Sequence, residues 1–206
     1  MKSFNNTREI IIHTQKFVQG KTLDFGAGTA KYRGLIKPKT SEYITFDMMG
    51  GSNIDIVGDV LNPPFKDGEF DTVISTQVLE HVEKPWVMIN QIGRIIKPGG
   101  ICIITAPFIV PYHADPYDFF RYTETGLTSM FKNENFEIVE SGSYGKIFGV
   151  LSEMIHFSLF SPYEERGKKL LSKRIIMRIE KIARFLDKFV KNKVIYSNVY
   201  VVARKK

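Results

Sequence analysis

Seven short segments rich in apolar and β-branched residues alternate with helical stretches along this chain of 206 residues. Several of them are almost continuous apolar runs, which is typical of strands that are covered on both faces. Strands that alternate with helices predict a doubly wound α/β fold, with a mostly parallel sheet and crossover helices. The predicted strands are 22–25, 43–46, 55–57, 72–75, 101–106, 137–143 and 194–203.

Helical segments are predicted between the strands. Residues 86–96 place their isoleucines and valine on one face, and the run ends where Pro98 and Gly99 disfavour continuation of the helix. A second helix is predicted to begin after Thr123, whose hydroxyl suits an N-cap, and to end near 132. Residues 8–17 are a third candidate.

The stretch 145–193 interrupts the alternation before the last strand. We interpret the chain as one domain, 1–206, in which 145–193 is a basic, amphipathic helical insertion. Apolar residues recur every three or four positions in its second half, and basic residues occupy the other side. The apolar stripe is Leu171, Ile175, Ile179, Ile182, Leu186 and Phe189; the basic residues are Lys173, Arg174, Lys181, Arg184, Lys188 and Lys191.

Charge is distributed unevenly along the chain. Residues 166–206 hold 14 of the 29 Lys and Arg residues but 2 of the 22 Asp and Glu residues. This asymmetry favours an anionic partner, namely a membrane surface, a nucleic acid or a charged substrate, or else a solvated helix face. The single cysteine, Cys102, excludes an internal disulfide framework. Since the first 20 residues lack a long apolar run and no run reaches the ~20 apolar residues of a spanning helix, we predict a cytoplasmic protein.

A glycine-containing turn directly follows the first predicted strand. Gly26 and Gly28 permit a tight strand-to-helix turn and a close approach of the backbone to a ligand. Lys31 stands where the dinucleotide fingerprint has its third glycine, which disfavours a pyrophosphate cofactor and a nicotinamide oxidoreductase. Asp24 before the turn suits a cationic group such as an amine. Asp47 ends the second strand, where a carboxylate accepts hydrogen bonds from ribose hydroxyls in this fold.

These motifs occur in a recognisable order. The series LDFGAG, FDMM, GDV, FDTVISTQVLEHV and KPGG resembles the class I S-adenosylmethionine (SAM)-dependent methyltransferases, especially the family with a type 11 methyltransferase domain. The resemblance covers roughly 20–145 and implies a seven-stranded sheet with an antiparallel last strand, SAM as cofactor, and methyl transfer. It assigns the methionine part of SAM to Asp24, Gly26, Ala27 and Gly28, the ribose to Asp47, the adenine to Met48, Asp59 and Val60, and the loop beside the cofactor to Thr76 and Gln77.

Glu80 and His81, within the same series, have the residue types of an acid–base pair. Because this segment is shared by family members with unrelated substrates, we interpret both residues as packing and loop-anchoring groups.

The loop 107–123 follows the fifth strand and is dense in chemically active side chains. We predict His113 as a general base for the acceptor, with Asp115 or Asp118 orienting it or binding substrate hydroxyls. Arg121 suits a substrate carboxylate or phosphate, or Asp118. The alternative is that this cluster only holds the loop closed. One histidine and two aspartates are a weak ligand set, so we predict no metal.

The loop also resembles a subgroup of type 11 methyltransferases found among bacterial cell-envelope glycan and lipopolysaccharide genes. This implies O-methylation of a sugar or a lipid-linked sugar, with the helix 170–191 lying on an anionic membrane. The helix can instead pack on its own sheet or on a second subunit in a homodimer. Two other functions stay open. The first is an RNA methyltransferase whose basic tail binds phosphates, although the sequence shows no basic groove with interleaved aromatic residues. The second is a non-enzymatic SAM-binding protein.

Overall fold

The computed structural model describes residues 4–114, 116–132, 135–160, 173–190 and 194–206. Its strands are β1 (Lys21–Phe25), β2 (Glu42–Asp47), β3 (Ile56–Val57), β4 (Phe70–Thr76), β5 (Ile96–Pro107), β6 (Phe136–Tyr144) and β7 (Asn198–Lys205). Its α-helices are α1 (Thr7–Thr14), α2 (Arg33–Ile36), α3 (Pro85–Ile95), α4 (Glu124–Phe131), α5 (Ile147–Phe160) and α6 (Lys173–Leu186). Short 3-10 turns occupy Gln15–Phe17, Lys37–Lys39, Leu79–His81 and Asp187–Phe189.

The strands form one sheet in the order β3-β2-β1-β4-β5-β7-β6. All neighbouring strands are parallel except β7, which runs antiparallel to both β5 and β6. The predicted fold class is therefore confirmed, including the antiparallel last strand and the helical insertion before it. The chain progresses outward in one direction from β1 and in the other from β4, so a crevice opens at the carboxyl ends of these two strands.

The largest differences from the predicted strand boundaries are at the starts of β5 and β7. The segment Lys97–Gly100, predicted as a turn after a helix, belongs to β5, because Ile96 already pairs with Phe70 and the register then shifts before Thr72. The last strand begins at Asn198 rather than at 194. Apolar character alone does not distinguish a strand from the exposed segment that precedes it, and Val194 lies in such a segment.

Apolar side chains cover both faces of the sheet. The larger core joins β1, β2 and β4 to α3 and α4 through residues such as Phe25, Phe46 and Met88, and the smaller core packs α1 and α2 on the opposite face through Ile10 and Ile36. Thr123 caps α4, as predicted: its hydroxyl oxygen accepts the N–H of Gly126 at 3.0 Å.

Within the described residues of the insertion, the helices α5 and α6 contact each other. Asp187, which directly follows α6, is buried, and its carboxylate accepts the backbone N–H groups of Phe148 and Gly149, both at 3.0 Å. Lys146 donates to the carbonyls of Asp187 and Val190, both at 2.9 Å. Hydrogen bonds to the first turn of α5 therefore fix the end of α6 against it. None of the helices in the described ranges has the length and hydropathy needed to cross a bilayer.

Candidate active site

The turn after β1 lies in the crevice between β1 and β4. Gly26 and Gly28 have φ angles of 79° and 54°, in the left-handed region that favours glycine. A Cβ atom on Gly26 would lie 2.5 Å from a methyl carbon of Val78, whereas one on Gly28 would meet nothing within 4 Å. Gly26 is thus required by packing, and Gly28 leaves open space in which a ligand can approach the backbone.

Asp47 joins this turn to the end of β2. One carboxylate oxygen accepts the Gly28 N–H at 2.8 Å, and the other accepts the Met49 N–H at 2.9 Å. A carboxylate oxygen can accept more than one hydrogen bond, so both keep capacity for hydroxyl donors. The side chain is half-buried at the crevice, as the ribose assignment requires.

The residues assigned to adenine follow β2 and β3. Met48 is an exposed apolar side chain beside Asp47, and Val60 is half-buried. Asp59 is exposed, and one of its oxygens accepts the N–H of Leu61 at 2.8 Å. The second oxygen is available to an exocyclic amine, so the arrangement fits an adenosine group.

Asp24 lies beneath the turn. Its carboxylate is buried and accepts a hydrogen bond from the hydroxyl of Tyr43 on β2. Burial raises the pKa of Asp24 to about 6, although the Tyr43 hydrogen bond opposes the increase. The structure thus places this carboxylate within the sheet; its assignment to the methionine amine stays a prediction.

The pKa of Asp24 leads to a stability prediction. A carboxyl whose pKa rises from 3.8 to about 6 on folding stabilises the fold below pH 3.8, and this contribution is lost as the pH rises through 6, a change on the order of 3 kcal/mol. Asp24→Asn should therefore raise the free energy of unfolding relative to the native chain at pH 8, and the gain should shrink towards pH 4. Urea titrations at pH 8 and pH 4 measure the free energy of unfolding of the variant and of the native chain. A gain in this free energy that is equal at the two pH values would contradict the assigned pKa.

The carboxyl end of β4 forms the other side of the crevice. Gln77 has a φ of 56°, which is unusual for a residue other than glycine and often marks a functional site. Its side-chain amide donates to the Thr105 hydroxyl at 3.1 Å and to the Tyr144 hydroxyl at 3.3 Å. The Tyr144 hydroxyl is also 2.9 Å from that of Thr7. Gln77 therefore joins β4, β5, β6 and the N-terminal helix; Thr76, before it, is half-buried at the same edge.

The loop 107–123 is bound to the 3-10 turn Leu79–His81. The Glu80 carbonyl accepts the N–H groups of Phe119 and Phe120 at 2.7 and 3.3 Å. The Tyr122 hydroxyl donates to the Leu79 carbonyl at 3.1 Å. These contacts bring the loop after β5 over the loop after β4, as the predicted anchoring role of the Glu80 segment requires.

Asp118 and Arg121 form a bidentate ion pair within this loop. Arg121 also donates to the carbonyls of Val110, Pro111 and Phe120, and Asp118 accepts the backbone N–H of His113 at 2.9 Å. Burial alone would raise the pKa of Asp118, but hydrogen bonds from Arg121 and His113 lower it to about 2. The polar atoms of this pair are thus engaged in holding the loop. Asp115 lies outside the described residues.

His113 lies close to the two residues that sequence reasoning interpreted as anchors. Its Nε2 is 3.8 Å from Oε1 of Glu80, and Nε2 of His81 is 3.8 Å from the same oxygen. The Glu80 side chain is fully buried, and neither carboxylate oxygen has a hydrogen-bond partner among the described residues. The separation is too long for a hydrogen bond, so the attraction is electrostatic, and the Glu80 carboxylate raises the pKa of His113.

Sequence reasoning therefore missed the chemical position of Glu80. The available signal was a carboxylate placed directly before a histidine, in a segment interpreted as packing and loop-anchoring. That signal does not show which residue lies opposite, because His113 follows Glu80 by 33 positions in the chain.

A cavity of about 300 Å³ opens at the carboxyl edge of the β5-β7-β6 half of the sheet. The N-terminal segment, α5, α6 and the residue before β7 line it, through Asn5, Ser152, Glu153, His156, Glu180 and Ser197 among others. Burial raises the pKa of Glu153, and the nearby charge of His113 opposes the increase. His113 is not among the lining residues, but the charge of one of them, Glu153, is within electrostatic reach of it, and the cavity has the size of a small-molecule site.

Comparison with known proteins identifies part of this chain. Residues 23–104 match the family model described as "Methyltransferase domain". An uncharacterized methyltransferase from Mycobacterium sp. (strain KMS) is 29% identical over 99 residues, which are 42% of this chain and 38% of that protein. The chain thus spans under two fifths of the length of this relative. The matched region includes the glycine turn, Asp47 and Glu80 but ends before His113.

Solved structures share the fold at low sequence identity. A SAM-dependent methyltransferase from Archaeoglobus fulgidus superposes with a TM-score of 0.62 at 15% identity, covering 97% of this chain and 95% of that one. The cyclase SpnF superposes with a TM-score of 0.63 at 16% identity, covering 96% and 79%. Since a cyclase shares it, the fold alone does not establish the reaction.

Proposed function

We propose that this chain, which belongs to the class I SAM-dependent methyltransferases, transfers a methyl group from SAM to a small-molecule or glycan acceptor, at oxygen. The observation that carries the proposal is the crevice at the switch point of the sheet. There Asp47 binds the backbone of the glycine turn while keeping acceptor capacity for hydroxyl groups. When bound, SAM supplies a methyl group activated by a sulfonium.

Different side chains around the crevice bind different parts of SAM. Asp47 accepts hydrogen bonds from the ribose hydroxyls, Met48 and Val60 cover the adenine, and Asp59 accepts from its amine. The open backbone at Gly28 borders the methionine part. The strained backbone of Gln77 supports this wall of the site through its hydrogen bonds to Thr105 and Tyr144.

The acceptor binds between the loop 107–123 and the cavity beside α5. His113 is within electrostatic reach of Glu153 in the cavity lining, and the ion pair of Asp118 and Arg121 holds the loop backbone that carries it. The cavity borders carboxylate, hydroxyl and amide groups, from Glu153, Glu180, Ser152 and Asn5, which suit an acceptor rich in hydroxyl groups. This supports a sugar, including one linked to a lipid.

Calorimetric titration of SAM into the purified chain tests the cofactor site, with Asp47→Ala as the variant. Methyl transfer itself is tested with methyl-labelled SAM and a panel of sugar glycosides and lipid-linked sugars. Saturable SAM binding together with label in a sugar supports the proposal. Absence of SAM binding contradicts it, and binding without transfer to any member of the panel would favour a non-enzymatic SAM-binding protein.

We also propose that α6 contacts an anionic membrane. Ile182, Phe185 and Phe189 are exposed by 59, 57 and 71%, so the side chains that would cover an internal helix face instead reach solvent. Lys181 and Lys188 are exposed on the same segment. Apolar residues flanked by lysines suit a helix that lies in the interface of an acidic bilayer. Leu171 and the side chain of Ile175 lie outside the described residues.

Replacing both phenylalanines by serine (Phe185→Ser with Phe189→Ser) should reduce sedimentation with vesicles containing phosphatidylserine at least fivefold, since the buried apolar area is lost. Trp86→Ser, which alters an exposed aromatic residue on α3, is the matched control. Equal sedimentation of the double variant and the native chain would contradict membrane contact. If the native chain forms a dimer but does not bind vesicles, and the double variant is monomeric, the apolar face of α6 contacts a second copy of this chain instead of a membrane.

A further inference from the structure

We propose that Glu80, His81 and His113 bind one divalent transition-metal ion beside the acceptor. The site itself follows from the geometry of these three side chains, and its assignment to the acceptor rests on the proposed function. It replaces the sequence-based expectation of no metal, which considered His113 with the loop aspartates only. The chain brings together a different set, two imidazoles and one carboxylate, from the loops after β4 and β5.

The ligand atoms are arranged around one point. One ring nitrogen of each histidine and a Glu80 oxygen all lie within 4.8 Å of one another, and the Nε2 atoms of His81 and His113 are each 3.8 Å from Oε1 of Glu80. Two ligands bound tetrahedrally at about 2.1 Å from an ion are about 3.4 Å apart. The imidazole–carboxylate distances exceed this spacing by about 0.4 Å and the largest distance in the group exceeds it by at most about 1.4 Å, so side-chain rotations are needed to close the site on an ion.

Both imidazoles are oriented as metal ligands usually are. Nδ1 of His81 lies 2.6 Å from the Tyr117 carbonyl, and Nδ1 of His113 lies 2.9 Å from the Pro111 carbonyl. A carbonyl oxygen only accepts, so each Nδ1 carries the hydrogen and the lone pair of a neutral ring is at Nε2. This backbone support fixes the tautomer and the ring plane, as in known metal sites.

Glu80 provides the independent observation. Its side chain is fully buried, and both oxygens lack a hydrogen-bond partner among the described residues. An ionised carboxylate in such surroundings is strongly disfavoured unless a cation or donors compensate it. The guanidinium of Arg121 is already bonded to Asp118 and to loop carbonyls. An ion held by the two imidazoles would satisfy the buried carboxylate.

The donor set indicates the kind of ion. Two imidazole nitrogens with one carboxylate suit Mn²⁺, Fe²⁺, Co²⁺ or Zn²⁺ better than Mg²⁺ or Ca²⁺, which prefer oxygen ligands. The side chains of His81 and His113 are 16 and 25% exposed, so the carboxylate lies at the base and the rings reach towards the loop surface. Three protein ligands leave coordination positions on that side for oxygens of the acceptor. An ion there would lower the pKa of a bound hydroxyl and orient it.

The test is titration of Co²⁺ into chain that has been freed of metal with EDTA and dialysed, followed by visible absorption and calorimetry. One Co²⁺ should bind per chain. Glu80→Gln, His81→Gln and His113→Gln should each weaken Co²⁺ binding at least a hundredfold, since even residues that only support metal ligands can cost 10–100-fold. The control is His13→Gln, because His13 also pairs with a glutamate, Glu140, at 2.6 Å on another face of the sheet.

Absence of Co²⁺ binding by the native chain would overturn the proposal, and so would unchanged affinity in His81→Gln and His113→Gln. The native titration needs no variant, so it decides even if Glu80→Gln fails to fold. SAM titration of the same metal-free chain separates the two proposals. SAM binding without Co²⁺ binding would refute the metal site alone, whereas Co²⁺ binding without SAM binding would refute the proposed function alone.

Discussion

Asp47→Ala is expected to weaken SAM binding by more than tenfold. The substitution removes the carboxylate that would accept from both ribose hydroxyls, and charged acceptors form the stronger class of hydrogen bonds. It also removes the acceptor of the Gly28 and Met49 N–H groups, which now fix the loops after β1 and β2 relative to each other. Loss of the contact with the ribose and loss of the fixed arrangement of the two loops both weaken SAM binding.

The measurement is calorimetry with SAM and with its demethylated product. Glu42→Ala is a suitable control, because Glu42 begins the strand that Asp47 ends and lies at the opposite edge of the sheet. Asp47→Asn should fall between the native chain and Asp47→Ala, since the amide retains one acceptor oxygen but introduces a donor. Equal affinity of Asp47→Ala and the native chain, with unchanged melting temperature, would remove the ribose assignment.

His113→Ala should reduce turnover by about 10²–10⁴-fold, the range associated with loss of a group that acts on a proton or a reacting oxygen. The reduction is expected in either of two roles of the imidazole. It can remove the proton from the hydroxyl that receives the methyl group, or it can hold a metal ion that binds this hydroxyl. SAM affinity should change less than twofold, because His113 lies on the loop after β5, whereas the proposed ribose and adenine contacts lie after β2 and β3.

Turnover is measured as methyl label transferred to the sugar acceptor found with the panel, and SAM affinity by calorimetry on the same preparation. His13→Ala serves as the control, since His13 pairs with Glu140 away from the loop. Full turnover of His113→Ala would exclude His113 from the chemistry. A parallel loss of SAM affinity would instead show that the substitution disturbs the whole edge of the sheet.

The two proposed sites differ in how far the sequence predicts them. The glycine turn, Asp47 and Asp59 belong to strand–loop units whose spacing is set by local geometry. A strand that ends at a given residue places that residue at the carboxyl edge of a parallel sheet, whichever other strands are present. The order of motifs then predicted the doubly wound sheet, and the structure confirms it.

Other features required the tertiary structure. Amphipathic spacing predicted helices in the insertion, but it did not show that Phe185 and Phe189 remain exposed, since a stripe of the same period packs equally well on a sheet. The α5–α6 contact includes a buried carboxylate, Asp187, whose partners begin another helix 38 or more positions earlier. No local pattern marks such a contact.

The sequence by itself determined the class of sheet and the position of the carboxylates proposed to bind the nucleoside, because these follow from strand period, glycine turns and strand ends, all of which act over a few residues. Only the tertiary structure decided that Glu80 is buried without a partner and faces both His81 and His113. That juxtaposition depends on how the loop after β5 folds back onto the turn after β4, through hydrogen bonds between residues far apart in the chain. Side-chain identities record which groups are available, whereas the folding of one loop on another sets the distances between them.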